Sequence, residues 1–239
     1  MENVSWHSKH SRNVAQRFRA LEIHRPGRKK REIMRNGDWI QTYSGLKMYP
    51  LDPRPEEICI EDIAHALSNI CRFTGHCSQF YSVAQHSVLV STHVSDANAL
   101  WGLLHDASEA YLCDIARPVK HSEPFAGYRI AEKRLQSVIA VKFGLSPEQP
   151  DEIDVADKRL LVTEARDMGL LTPEWDHFKI TPLEMHIHPV PPENAKRVFL
   201  DWLEVIKHKS APAGIAESAK TVVQHGQPKI AEVACGEEL

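Results

Sequence analysis

The chain has 239 residues, of which 42% are hydrophobic and 26% are charged, a balance typical of a globular protein with one good-sized core. No uninterrupted run of about 18 apolar residues occurs, and the first twenty residues lack the apolar centre of a secretory signal, so the sequence argues against a membrane span or export. The five cysteines are odd in number and form no C-x-x-C pair, which argues against a cysteine-based zinc site and predicts a reducing, cytoplasmic location.

The N-terminal region is strongly basic, although the net charge of the whole chain is −3. Residues 1–35 contain ten Lys and Arg against three acidic residues, and the remainder has 19 basic against 29 acidic residues. The segment RPGRKKR, residues 25–31, is of a type that either stays solvated or contacts nucleic acid. Because no aromatic residue interleaves with these charges, we favour a solvated extension over residues 1–37, partly helical over 12–23.

Residues 38–209 are predicted to form one all-α domain of about six to seven helices. Aromatic and β-branched residues around Ser44 and Gly45 first predict a short β-hairpin near residues 38–50. Apolar residues then recur at intervals of three and four, which predicts helices. These predicted helices cover residues 61–73, 82–94, 97–111, 127–143, 152–168 and 191–208. The last segment, residues 210–239, is small and polar and is predicted to be disordered.

The segment LLHDASEAYLCDIARPVK, residues 103–120, gathers an unusual number of charged side chains. His105 and Glu109 are four residues apart and share a helix face, and Asp106 lies about 100° around the same helix. Three explanations of this grouping are open, namely a solvated helix face, a buried ion-pair network and a metal ion. Further ligands must then come from other helices, and His86 and Asp157 are candidates, since an Asp among apolar residues needs a partner.

Three segments together carry a resemblance to a known family. YSVAQHSVLVS, LLHDASEAYLCDIARPVK and ADKRLLVTEARD resemble the H…HD…D pattern of the HD-domain metal-dependent phosphohydrolases, over residues 58–207. Within that superfamily the sequence is most similar to the bacterial 5′-deoxynucleotidase branch, in which H-D-A-S-E is followed by an Asp five residues after the Glu. The resemblance implies an HD-domain helical bundle that holds one divalent ion.

The resemblance also implies a role for each residue of the pattern. His86, His105, Asp106 and Asp157 would be the metal ligands, a set that suits Mn²⁺, Fe²⁺, Co²⁺, Ni²⁺ or Mg²⁺ better than a closed structural zinc site. Four ligands leave room for a water and a phosphate oxygen. Glu109 would be the general base or orient the water, and Asp114 would be the general acid or support it. The alternative is that both carboxylates pair with Arg117 or Lys120.

Four further residues are candidates for substrate binding. Arg72 and Phe73 precede His86 by about the same interval as an Arg-Trp pair in the deoxynucleotidases, where the pair contacts phosphate and sugar or base. An Arg fork suits phosphate oxygens, and an adjacent ring can stack on a nucleoside. His76 and Lys120 would add cations, unless they are only a loop histidine and a solvated lysine.

The resemblance therefore predicts a metal-dependent hydrolase of nucleotide phosphate esters. A (deoxy)nucleoside 5′-monophosphate is favoured because Arg72, His76 and Lys120 provide few cations for a triphosphate. Hydrolysis of a nucleoside triphosphate or of a phosphodiester remains an alternative, since a fold does not choose among these reactions. A second alternative is a non-catalytic nucleotide-binding module whose basic arm contacts nucleic acid. Relatives often form dimers, so a homodimer is also open, whereas no membrane partner is expected.

Overall fold

The computed structural model describes residues 35 and 37–210, apart from the side chains of residues 176, 177 and 210. The predictions for the basic extension, residues 1–37, and for the C-terminal tail, residues 210–239, fall almost entirely outside this described part of the chain.

The predicted hairpin is present and is tied to the first helix. Strand β1 (Ile40–Gln41) pairs antiparallel with β2 (Lys47–Met48), with Ile40 opposite Met48. Gly45 lies at the turn with a φ of +85°, a conformation that favours glycine. The carboxylate of Asp62 accepts hydrogen bonds from the Ser44 amide, at 2.6 Å, and from its hydroxyl, at 2.8 Å. The hairpin is thereby fixed against the helical part of the molecule.

Between residues 37 and 210, helices make up the rest of the regular structure, so the predicted all-α fold class is confirmed. They are α1 (Ile60–Asn69), α2 (Val83–Thr92), α3 (Ala99–Leu104), α4 (Glu109–Leu112), α5 (Arg117–Lys120), α6 (Ala126–Lys142), α7 (Asp151–Asp167) and α8 (Pro192–Ser210). Short 3₁₀ turns cover Pro55–Glu57, Arg72–Gly75, Asp96–Asn98, Glu123–Phe125 and Pro173–Phe178. None of the helices in the described part of the chain is long and apolar enough to cross a membrane.

Helix α2 is the centre of the bundle. It packs against α1, α3, α7 and α8, and the hydroxyl of Ser82 caps it by accepting a hydrogen bond from the Gln85 amide at 3.1 Å. Because neighbours surround the helix, even its polar residues His86 and Ser87 are fully buried. A buried polar side chain needs partners, and those of His86 lie on α7 and at the end of α3.

The predicted helix over residues 97–111 is wrong in one respect: the structure divides it into α3 and α4. In a continuous helix the Ser108 amide would donate to the Leu104 carbonyl. Instead the side chain of Gln136, on α6, lies between them. Its Oε1 accepts from the Ser108 amide at 3.1 Å, and its Nε2 donates to the Leu104 carbonyl at 2.6 Å. The turn that contains His105 and Asp106 is therefore held open by a side chain from another helix.

Candidate metal centre and adjoining pocket

Two imidazoles and a carboxylate converge at the centre of the bundle. His86 comes from α2, and His105 and Asp106 come from the open turn after α3. Their ligand atoms all lie within 4.8 Å of one another, a grouping that could hold a metal ion. The two Nε2 atoms are 3.2 Å apart, and Asp106 Oδ2 is 3.2 Å from His105 Nε2. Asp157, on α7, joins the group through an Oδ1 that lies 3.2 Å from His86 Nε2.

This donor set fits a divalent ion. Ligand atoms around an ion with bonds of about 2.1 Å stand roughly 3 Å apart, close to the spacing observed here. Both imidazole rings are also held through their Nδ1 atoms, which do not face the group. His105 Nδ1 lies 2.8 Å from the Gly102 carbonyl oxygen, and His86 Nδ1 lies 2.5 Å from Glu164 Oε1. Such contacts fix the orientation of each ring and leave its Nε2 atom available to a metal ion. Three of the four sequence-predicted ligands, His86, His105 and Asp106, thus form the group, and the fourth, Asp157, contacts it through His86.

Glu164 is a site residue that the sequence reasoning missed. It is fully buried, and besides its contact with His86 it accepts hydrogen bonds from the Tyr81 hydroxyl at 2.8 Å and from Arg72 Nη2 at 2.9 Å. A spacing signal existed, since Glu164 follows Asp157 by seven residues and therefore lies on the same face of α7 two turns later.

The charges of the cluster shift its protonation. Burial and the charge of Arg72 lower the pKa of His86, but Glu164 and Asp157 outweigh them and raise it to about 9. Burial alone would raise the pKa of Asp157, yet its contacts with His86 bring the value down to about 2. The imidazoles and Arg72 likewise hold the pKa of Asp106 far below its usual range against the effect of burial. These shifts favour ionised carboxylates around a protonated His86.

A pocket of about 940 Å³ opens beside the cluster, and Asp106 and Asp157 line it. Glu109 and Asp114 line it as well. Glu109 is 5% exposed, and its buried Oε2 has no hydrogen-bond partner among the described residues. Burial and the charges of Asp106 and Asp114 raise the pKa of Glu109 well above its usual range. The pKa of Asp114 is also raised by burial and by Asp106, although Arg72 opposes the shift.

The backbone before Asp114 is held in an uncommon conformation. Cys113 has a φ of +66°, a region that residues other than glycine rarely adopt. The hydroxyl of Tyr128, on α6, donates to the Cys113 carbonyl at 2.8 Å and fixes this peptide. The conformation ends α4 and places Asp114 in the lining of the pocket.

The predicted substrate-binding residues Arg72, Phe73, His76 and Lys120 all line the same pocket. Arg72 is already engaged with Glu164, and its Nη1 lies 3.6 Å from Asp106 Oδ2, so it also supports the ligand cluster. Lys120 forms an ion pair with Glu132 rather than with Glu109 or Asp114.

The pocket also contains residues that the sequence reasoning did not single out for it. Arg117 and His121 lie in its lining, and so do Trp175 and Phe178 from the turn after α7. The Trp175 ring centroid is 6.5 Å from that of Phe73 and 5.4 Å from that of Phe178. These rings belong to short 3₁₀ turns, where apolar periodicity gives no sign of burial or function.

Comparison with known proteins places the chain among relatives. The uncharacterized protein YfdR of Escherichia coli (strain K12) is 40% identical over 167 residues, which are 68% of this chain and 92% of YfdR. The chain belongs to the same family as YfdR. An uncharacterized protein of Rhodobacter capsulatus is 38% identical over 137 residues, 54% of this chain and 69% of that relative. No family model matches the chain, and the resemblance to HD-domain phosphohydrolases remains a prediction.

Proposed function

We propose that the protein is a metal-dependent phosphohydrolase that cleaves a phosphate ester of a nucleotide. One observation carries this proposal: the His86–His105–Asp106 group opens onto a pocket in which the buried Oε2 of Glu109 has no partner among the described residues. An ionisable oxygen left unpaired beside a metal-binding group is what a hydrolase needs to handle a water. A helical protein with only a structural role leaves this arrangement unexplained.

His86, His105, Asp106 and Asp157 would hold the ion, which we propose to be Mn²⁺, Co²⁺, Fe²⁺, Ni²⁺ or Mg²⁺. When bound, such an ion offsets charge on a phosphoryl group and makes water easier to deprotonate. Behind the ligands, Glu164 keeps the His86 ring in place, and Arg72 neutralises part of the charge of Asp106 and Glu164.

Glu109 and Asp114 would carry the proton transfers. The raised pKa of Glu109 brings this carboxylate closer to the working pH, which makes it a stronger base for the attacking water. Asp114 lines the same pocket, and the family resemblance gives it the role of the general acid at the leaving oxygen. With the two carboxylates in one pocket, water attack and departure of the alcohol each have a group of the right kind.

A nucleotide is the substrate class that the pocket supports best. Arg72, His76 and Lys120 are basic side chains in its lining that can contact phosphate, and Phe73 offers an aromatic face. A 5′-monophosphate is our first candidate. Arg117 and His121 add two further basic side chains to the lining, and this observation favours a nucleoside triphosphate as the second candidate.

We further propose that the protein works in a reducing, cytoplasmic environment. Among the described residues Cys59, Cys71, Cys77 and Cys113 are free thiols. Cysteines that stay unpaired are typical of a reducing compartment. The homodimer and the contact of the basic arm with nucleic acid remain predictions.

The test is a phosphate-release screen over nucleoside mono-, di- and triphosphates. Protein stripped with a chelator should be inactive and should recover with Mn²⁺ or Co²⁺. Glu109→Gln should still bind the metal but lose about 10²-fold or more of its turnover. His86→Ala should lose the metal, whereas His93→Ala, an exposed histidine at the end of the same helix, should match the wild type. Full turnover in Glu109→Gln, or activity that survives metal removal, would contradict the proposal.

A further inference from the structure

Three aromatic rings form one side of the pocket, and we infer that this aromatic wall, Phe73, Trp175 and Phe178, binds the planar base of the substrate, with Trp175 as the main specificity-determining residue. The inference deepens the proposed function and rests on it for the phosphate end of the ligand. It assigns the turn Pro173–Phe178 a role in substrate choice.

The wall has the geometry of a stacking surface rather than of a closed core. Trp175 stands between the other two rings, edge-on to Phe73 at 62° and inclined by 34° to Phe178. All three side chains are only partly buried, and all three line the pocket that Asp106 and Glu109 also line. Aromatic side chains exposed inside a pocket offer π-faces to a planar ligand.

Phe73, the first ring of the wall, lies close to the metal-binding group. Arg72 Nη1 is 3.6 Å from Asp106 Oδ2, and the Arg72 Cζ atom is 5.6 Å from the Phe73 ring centroid. A single side chain therefore separates the ligand cluster from the first ring of the wall. In a nucleotide a sugar separates the phosphate from the base, so a phosphate held at the ligand cluster would leave the base on the Phe73 side of the pocket.

Strained backbone flanks the wall on both sides. Phe73 and Thr74 have φ values of +53° and +55°, and Lys179, directly after Phe178, has a φ of +50°. Left-handed conformations at residues with bulky side chains are costly and persist where the surroundings impose them, often at ligand sites. Here the Arg72 amide donates to the Tyr81 carbonyl at 2.8 Å, and the His76 amide donates to the Phe73 carbonyl at 3.0 Å. The fold thus maintains an unfavourable local conformation that keeps Phe73 in the lining.

Kinetics with two substrates test the inference. One is 2′-deoxyadenosine 5′-monophosphate, and the other is ribose 5-phosphate, which lacks a base. Trp175→Ala should raise KM for the nucleotide about five-fold or more and leave KM for ribose 5-phosphate unchanged, since loss of one stacking partner affects only the base. Trp175→Phe should keep most of the nucleotide affinity. Trp39→Ala removes an equally large ring outside the pocket and should behave as the wild type. Equal effects of Trp175→Ala on both substrates, or no effect on either, would overturn the inference.

A binding experiment separates failure of this inference from failure of the proposed function. Saturation-transfer NMR with 2′-deoxyadenosine on chelator-treated protein needs neither a metal nor hydrolysis. The base protons should receive the strongest transfer, and Trp175→Ala should abolish it. Transfer that depends on Trp175, in a protein that releases no phosphate, would support the base site and refute the proposed reaction. Phosphate release together with base signals unchanged in Trp175→Ala would support the reaction and refute the base site.

Discussion

Replacement of Glu164 by Gln tests whether the metal cluster depends on the residue behind it. The substitution keeps the volume of the side chain but removes the charge that His86, Arg72 and the Tyr81 hydroxyl share. It also places an amide NH₂ group where three donors converge. Removal of one partner from a buried charged pair destabilises proteins by about 3–5 kcal/mol, and we expect a loss of that size in the free energy of unfolding.

The effect on metal binding should be separate and smaller. Loss of a carboxylate that orients a ligating histidine lowers metal affinity about 10- to 100-fold, which corresponds to about 1.4–2.7 kcal/mol. Urea denaturation of the metal-free protein gives the first quantity, and calorimetric titration with Mn²⁺ gives the second. Glu152→Gln is the matched control, because this glutamate lies on the same helix and accepts hydrogen bonds from Ser95 and Asn98 rather than from the ligand cluster.

The outcome decides whether the His86 ring is held by Glu164 or is fixed by burial alone. If Glu164 holds the imidazole, both the stability and the Mn²⁺ affinity fall in Glu164→Gln and the affinity is unchanged in Glu152→Gln. Wild-type affinity in Glu164→Gln would refute the reasoning, since the ring would then be fixed by burial alone.

Two further predictions concern protons and packing. Because the pKa of metal-free His86 is about 9, the ion must displace a proton below that pH. The Mn²⁺ affinity should therefore rise by up to about tenfold per pH unit between about pH 6 and 8, and titrations in buffers of different ionisation enthalpy should detect the released proton. A pH-independent affinity would contradict this. Gly102→Ala would bring a Cβ to 2.8 Å from the Ser91 Cα, so α2 and α3 must separate. We expect a loss of about 1–3 kcal/mol in thermal unfolding, whereas Gly127→Ala, with open space, should not be destabilised.

The helical fold could be predicted because its information is local. Apolar residues at intervals of three and four mark α6 and α7, and Gly144 and Gly169, at φ +73° and +74°, follow their C-terminal ends, a position that favours glycine. The candidate metal-binding group rests on a different ground, because the resemblance to the H…HD…D pattern implies His86, His105, Asp106 and Asp157 as ligands. The structure brings His86, His105 and Asp106 together.

What could not be predicted depends on contacts between distant parts of the chain. The interruption after Leu104 is caused by Gln136, whose place opposite that turn is set by the packing of α6. Trp175 lies in a turn without periodicity, so no face could be assigned to it. Glu164 was within reach of the spacing argument, but only the structure shows that it faces inward.

The side chain of Gln136 gives the site an unusual reporter. The Ser108 amide hydrogen belongs to no helical ladder, because it is bonded to the Gln136 side chain. Its exchange with solvent therefore follows rotation of that single side chain, without unwinding of α3 or global unfolding. The exchange rate of this one backbone amide thus measures how often the hydrogen bond opens between Gln136 and the turn that carries His105 and Asp106. Local order at the site can be followed in this way in the absence of metal, substrate and turnover.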